Sequence, residues 1–198
     1  LKEQGIEQIY PKEKERWYVK VPAFSFAKLN GMDAYLSPEM KSTGEAIGYD
    51  KKLHRAMYKA MIASGIRVQN YGTVIVTLAD EDKEEALPLI RRFYDMGFNI
   101  EATSLTGEHL KQHGIRTRIL GKPSEGSSEI LDAIRAGYVS YVINTRAILS
   151  GVHYEDGVAI RSAATQNNIT MLTSLDTVKV LLDVLEEVTI GVSTINAE

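Results

Sequence analysis

Three glycines constrain the fold of this chain most strongly, because each follows a helical apolar pattern and precedes a strand-like run. They are Gly97, Gly114 and Gly137. A glycine just past a helix can adopt the left-handed conformation that turns the chain back. Three such junctions predict repeated βα units. Strands that alternate with helices predict a parallel sheet that is buried on both faces and has right-handed crossovers.

The predicted units start at a buried strand over 73–77, a short run rich in β-branched residues. A helix opens at Asp80–Asp82, and Pro88 requires that the helix either begins late, with the proline in its first turn, or bends. A last helix is predicted at 175–185. Four further strands are predicted at 98–102, 115–120, 138–143 and 169–172. The fold class is therefore α/β, with a five-stranded parallel sheet.

Residues 1–70 differ in character from the rest. They contain a possible strand pair over 17–26 and a predicted helix over 52–64, which Ser64-Gly65 ends. They carry 12 Lys or Arg against 8 Asp or Glu, a balance of +4, whereas residues 71–198 carry 11 against 18, a balance of −7. This shift predicts a domain boundary near residue 70.

Composition narrows the functional classes. The chain has no cysteine, so it has neither a disulfide nor a thiolate metal site, which fits a reducing, cytoplasmic location. No apolar run approaches the roughly 20 residues that span a bilayer. The net charge of −3 argues against nucleic acid as a partner. The missing initiator methionine suggests that the chain was cut from something longer.

Polar side chains follow every predicted strand, where ligands of parallel sheets bind. Thr103–Thr106 combines hydroxyls with a helix start, which is typical of an anion site. Lys83 and Lys122 would add point charges for a phosphate, and Asn144 would orient a ribose or a base. Each residue alone has N-capping or surface solvation as its alternative. No strand-end loop offers a histidine–carboxylate pair, so no catalytic residue is predicted.

Other polar residues are weaker candidates. His109 and His113 have a spacing that can bind zinc, but no third ligand is in view, so solvated or capping histidines are expected. His153 is similarly alone. Asp156 is interpreted as a surface loop acid, with the alternative that it holds a nearby cation. No metal site is predicted.

The segment Pro38–Glu45 reads PEMKSTGE. It resembles the PEM-basic-STGE signature late in the second ATP-grasp unit of carbamoyl-phosphate synthase large subunits, and the resemblance continues over almost the whole chain. It implies that residues 1–70 are an ATP-grasp tail that lacks the catalytic carboxylates and phosphate loop. It implies that residues 71–198 are a methylglyoxal-synthase-like regulatory domain, a three-layer α/β/α fold.

The same resemblance implies an allosteric site for a phosphorylated effector such as UMP, IMP or PRPP. The full-length enzyme would be an ATP-dependent ligase with Mg or Mn, serving pyrimidine or arginine biosynthesis. Its partners would be the rest of the large subunit and a glutaminase small subunit, with a homo-oligomer possible. The fragment alone is expected to be inactive and without cofactor. The implied effector-binding residues are Thr77, Lys83, Thr103, Thr106, Lys122, Asn144, Thr145, Arg146, Asp156 and Thr173.

Three residues depart from the family pattern. Leu105 replaces a glycine of the phosphate loop, which narrows backbone freedom. Arg146 replaces a small hydroxyl residue, and it would either reach a second phosphate or block the pocket. Val21 stands where an ornithine-binding glutamate is expected, which argues against activation by ornithine. Two other functions stay open: a stand-alone phosphate lyase like methylglyoxal synthase, and an oligomerisation module.

Overall fold

The computed structural model describes residues 15–23, 44–145 and 154–190. None of the helices in these ranges is both long and apolar enough to cross a membrane. The strands are β1 Trp17–Ala23, β2 Gly44–Asp50, β3 Thr73–Thr77, β4 Asn99–Ala102, β5 Thr117–Ile119, β6 Val139–Asn144 and β7 Thr170–Leu172. The helices are α1 Leu53–Ala63, α2 Lys83–Asp95, α3 Ser104–Gln112, α4 Glu129–Arg135, α5 Tyr154–Gln166 and α6 Leu175–Ile190, with 3₁₀ turns at Asp80–Asp82 and Pro123–Glu125.

Strands β3 to β7 form one parallel sheet in the order β5-β4-β3-β6-β7. The chain runs outward from β3 to one edge and then returns to β6 on the other side of β3. The strand order therefore reverses between β3 and β6, where an open α/β sheet leaves a crevice at the carboxyl ends of its strands. At that point Thr77 pairs with Asn144. The predicted five-stranded parallel sheet is confirmed.

Helices cover both faces of this sheet. Val74 and Val76 of β3 point to one face, where they share a hydrophobic cluster with α2, α3 and α6. Ile75 points to the other face, where it shares a second cluster with α4 and α5. Successive side chains of a strand alternate between faces, so a strand buried on both sides is apolar without interruption. This explains why all five residues of β3 are buried.

The three glycine junctions are confirmed. Gly97, Gly114 and Gly137 end α2, α3 and α4 with φ of 91°, 76° and 82°. The late start proposed for the second helix is wrong, because α2 begins at Lys83 and places Pro88 in its interior. Pro88 is exposed, so the helix forgoes one backbone hydrogen bond there without burying an unsatisfied group.

Helix α5 was not predicted, and it corrects the interpretation of Asp156. This residue lies in the first turn of α5 and is only 5% exposed, so it is not a surface loop acid. The predicted strand pair within 17–26 is also corrected. Residues 17–23 do form β1, but the partner of β1 is β2, which pairs with it antiparallel.

Residues before β3 pack into the same core as the sheet. Met61 of α1 belongs to the cluster that contains Val74. The Thr170 hydroxyl at the start of β7 donates to the carbonyl of Arg67. Side chains on both sides of residue 70 therefore share one core. The domain boundary at that residue, and the identity of residues 1–70 as an ATP-grasp tail, stay predictions.

Candidate functional site

The carboxyl ends of the five parallel strands lie along one side of the sheet, which we call the carboxyl edge. Four threonines meet there, and we call them the hydroxyl cluster. Thr77 ends β3, Thr103 follows β4, Thr106 lies in the first turn of α3, and Thr145 follows β6. The first three are at most 4% exposed, and Asn144 beside them is 2% exposed.

Hydrogen bonds hold the hydroxyl cluster to the backbone that leaves β3. The amide of Leu78 donates to Thr106 Oγ1 at 3.2 Å, and the amide of Ala79 donates to Thr145 Oγ1 at 3.3 Å. The hydroxyls of Thr77 and Thr103 are 3.3 Å apart. Thr106 and Thr145 act as acceptors in these bonds, so each keeps a hydroxyl hydrogen that can be donated. Such a cluster offers donors, which suit an acceptor-rich group such as a phosphate.

The start of α3 adds backbone donors and a favourable dipole to this place. Thr103 is the extended residue before the helix, and its carbonyl accepts from the amide of Gly107 at 2.7 Å. A Cβ at Gly107 would lie 2.9 Å from Ile119 Cγ1, so the glycine lets α3 sit close to β5. Leu105 is 57% exposed in the first turn. The amides of a first helical turn favour an anion.

A second group of charged residues lies where the loop after β5 meets the start of α5. Lys122 and Asp156 are both buried, and Lys122 Nζ lies 3.7 Å from Asp156 Oδ2. Asp156 also accepts two hydrogen bonds from Ser124, from the amide at 2.8 Å and from the hydroxyl at 2.5 Å. Glu125 Oε1 lies 3.8 Å from Lys122 Nζ. We call these four residues the lysine loop.

Lys83, the other predicted cation, lies in the first turn of α2. Its Nζ forms an ion pair with Asp80 Oδ1 at 2.8 Å, and its side chain is only 16% exposed. The acidic residues 80–82, 84 and 85 occupy the 3₁₀ turn and the first turn of α2, where acidic side chains favour the helix dipole. The structure thus places both predicted lysines next to carboxylates.

An open cavity of about 310 Å³ lies beside β6 and β7. Thr145 of the hydroxyl cluster lines it, and so does Thr173, which is not part of that cluster. The cavity is acidic, so it repels a phosphate. Its other lining residues are Asp82, Glu85, Ser174, Leu175 and Asp176. The carboxyl edge therefore has a part rich in hydroxyl donors and an acidic part, and Thr145 borders both.

The histidines of the described chain do not form a metal site. His113 is exposed at the end of α3, and its Nδ1 lies 2.8 Å from the carbonyl of His109, which fits a capping role. His109 is half-buried instead of solvated, and its Nε2 lies 3.7 Å from Glu84 Oε1. Within the described ranges, no group of three or more acidic or histidine side chains is placed to hold a metal ion.

Two residues of the lysine loop were missed by sequence reasoning. They are Ser124 and Glu125. Glu125 Oε2 accepts from the amide of Lys122 at 3.3 Å, so an acid three residues after the start of a turn was an available capping signal. The contact of Ser124 with Asp156 had no such signal, because 32 residues separate them.

Two predictions lie outside the described residues. They concern Arg146 and His153. Residues 38–43 of the PEMKSTGE motif also lie outside the described residues. Val21 is described. It lies in β1, where it is half-buried and pairs with Ala46.

The model of the MGS-like domain family matches residues 85–173, which run from α2 to the end of β7. This part of the chain is therefore similar to MGS-like domains. The fold is similar to that of methylglyoxal synthase from Elizabethkingia anophelis NUHP1, with a TM-score of 0.50 and 17% identity, over 58% of this chain and 79% of that one. ForH matches with a TM-score of 0.45 and 20% identity, over 59% of this chain and 80% of that chain. At this level of identity the similarity to methylglyoxal synthase extends to the fold alone.

Proposed function

We propose that this chain is the regulatory end of a carbamoyl-phosphate synthase large subunit and that its MGS-like domain binds a phosphorylated effector such as UMP, IMP or PRPP. The effector would act by binding more tightly to one of two states of the whole enzyme. The rest of the large subunit, a glutaminase small subunit, and ATP with Mg or Mn belong to this proposal. In this proposal the residues that bind ATP and the metal ions belong to the rest of the large subunit.

The observation that carries the proposal is the hydroxyl cluster at the reversal of the strand order. Thr106 and Thr145 accept bonds from the backbone after β3 and keep hydrogens to donate. Phosphate oxygens accept hydrogen bonds and do not donate when fully ionised. The start of α3 beside Thr103 adds amide donors to the same place. Asn144, at the end of β6, would then orient the ribose or the base.

The PEMKSTGE segment at Pro38–Glu45 is the reason for choosing a synthetase over a free-standing protein. It resembles a synthetase signature that a lone MGS-like domain does not need. The chain also carries β1, β2 and α1 ahead of the sheet. Both features fit a regulatory domain joined to the end of a catalytic unit.

A phosphate lyase is the second candidate, and the fold similarity to methylglyoxal synthase favours it. Such a lyase uses an aspartate base and a histidine. In the described chain, the polar neighbours of His109 and His113 are Glu84, Arg91 and the carbonyl of His109, and no aspartate is among them. An assay with dihydroxyacetone phosphate separates the two functions. If the chain produces methylglyoxal, the lyase function replaces the regulatory function as the proposal.

Amide chemical shifts of the isotope-labelled chain test where an effector binds. Titration with UMP, IMP and PRPP is expected to shift the amides of Leu78, Ala79 and Thr106. Thr117, at the start of β5 and thus at the opposite end of the sheet, serves as the internal control. Shifts confined to Thr117 and its surroundings would contradict the proposal.

A further inference from the structure

We infer that Asp156 determines the affinity and the selectivity of the candidate site, because its carboxylate competes with an incoming phosphate for Lys122. This inference rests on the proposed function. It changes the expectation for Asp156, which the family resemblance makes an effector-binding residue. In this account Asp156 acts through the lysine and not on the ligand.

Burial makes Asp156 the stronger of the two acids that face Lys122. The side chain of Asp156 is 7% exposed and that of Lys122 is 10% exposed, whereas the side chain of Glu125 is 44% exposed. Both carboxylates lie at nearly equal distance from Nζ, 3.7 and 3.8 Å. Solvent screens the exposed pair more than the buried one. The buried carboxylate therefore accounts for most of the attraction that a phosphate must overcome.

Two hydrogen bonds from Ser124 fix the position of this carboxylate. They come from the amide at 2.8 Å and from the hydroxyl at 2.5 Å, and they join the loop after β5 to the first turn of α5. The lysine, in contrast, has a flexible stem and a compact charge that reorients readily. A phosphate can therefore draw Nζ away while Asp156 stays in place. The buried carboxylate then loses its cation, and this cost disfavours a small free anion that gains few other contacts.

The substitution Asp156→Asn removes the charge and keeps an oxygen that accepts from the Ser124 amide. Inorganic phosphate is the probe, titrated at constant ionic strength and followed by amide chemical shifts. The affinity of D156N is expected to be about tenfold higher than that of the unchanged chain, equivalent to about 1.4 kcal/mol. In a K122A background the same substitution should change the affinity less than about twofold, because the contested cation is gone.

The outcomes separate this inference from the proposed function. If the unchanged chain binds phosphate and D156N binds it equally or more weakly, the inferred competition is wrong, but the proposed phosphate site is kept. A tenfold gain that persists in the K122A background also overturns it, because Asp156 would then act independently of the lysine. If neither folded protein binds phosphate, both the inference and the phosphate site fail. Should D156N not fold by circular dichroism, E125Q takes its place: about twofold tighter binding supports competition, and unchanged or weaker binding refutes it.

Discussion

The phenol of Tyr141 in β6 makes two hydrogen bonds to the backbone of Gln69, ahead of β3. It donates to the carbonyl and accepts from the amide, each at 2.6 Å. Tyr141 is fully buried and packs against Phe93 and Phe98 with ring centroids 5.9 Å apart. One side chain thus joins the core of the sheet to the segment that connects α1 with β3.

Removing this hydroxyl is expected to destabilise the chain. Tyr141→Phe keeps the ring and loses both bonds, which should lower the free energy of unfolding by about 1–3 kcal/mol. Urea denaturation measures the change. Tyr18→Phe is the matched control, since Tyr18 is 55% exposed, and it should stay within about 0.5 kcal/mol. Equal effects of the two substitutions would show that the Gln69 bonds do not stabilise the fold.

The same tyrosine predicts a loss of stability at high pH. Burial raises the pKa of Tyr141 to about 12, above its ordinary value of 10.0. The folded chain holds the neutral phenol, so this contribution is complete below pH 10 and is lost as the pH rises from 10 to 12. The loss amounts to about 2–3 kcal/mol at most. In urea titrations from pH 8 to 12, the advantage over Y141F should shrink, and a constant difference would contradict the assignment.

Arg92 joins α2 to α6 and should stabilise the fold in a salt-dependent way. Its Nε and one terminal nitrogen lie 2.8 Å from the two oxygens of Glu186, and the latter nitrogen lies 2.7 Å from Asp183 Oδ1. These bonds raise the pKa of Arg92 further, against the effect of burial. Since the side chains are partly exposed, Arg92→Gln is expected to cost only about 1 kcal/mol.

An exposed ion pair on α4 supplies the comparison for Arg92. Arg135 lies 3.4 Å from Asp132, and both side chains are about 60% exposed. Arg135→Gln should change the free energy of unfolding by less than about 0.5 kcal/mol. Measured in low and in high salt, the Arg92 effect should fall by a measurable amount, whereas the Arg135 effect is too small for its fall to be measured. Equal effects for both arginines would show that the ion pairs of Arg92 between α2 and α6 do not stabilise the fold.

Gly48 of β2 is expected to tolerate no side chain. A Cβ there would lie 2.1 Å from the carbonyl oxygen of Ala56 and 2.4 Å from the amide of Ala60, both backbone atoms of α1. Gly48→Ala must therefore push β2 away from α1, at a cost of about 3 kcal/mol or more. Gly44→Ala in the same strand meets nothing within 4 Å and serves as the control. Thermal unfolding of both variants tests this, and similar midpoints would contradict the close contact.

Local patterns in the sequence predict much of this fold. Apolar β-branched residues over 73–77 and the glycines after α2, α3 and α4 are local signals, and each led to the observed element. Helix α5 was not predicted because its small residues and interior Gly157 give no clear apolar period, and because Arg161 is buried within it. The pairing of β1 with β2 was not predicted either, since β2 begins 21 residues after β1 ends and no local signal indicates such a pairing.

The site, like the fold, could be predicted where the signal is local and could not be predicted where it depends on distant segments. The rule that ligands bind at the carboxyl ends of parallel strands selected Thr77, Thr103, Thr106 and Thr145, which the structure brings together. What the rule could not supply is charge balance. The approach of Asp156 to Lys122 and the acidic cavity at Thr173 depend on contacts between distant segments. Whether these residues bind an effector stays a prediction.

Calorimetric titration of the chain with UMP, IMP and PRPP tests the central claim most directly. At least one of them should bind, and Thr106→Val should weaken that binding at least about tenfold, since it removes a hydroxyl donor. Thr106→Ser should restore most of the affinity. Thr117→Val, which loses the hydroxyl bond to the Ile115 carbonyl at the opposite end of the sheet, should leave it unchanged. No binding by the folded chain, or an equal loss in T117V, would contradict an effector site at the carboxyl edge.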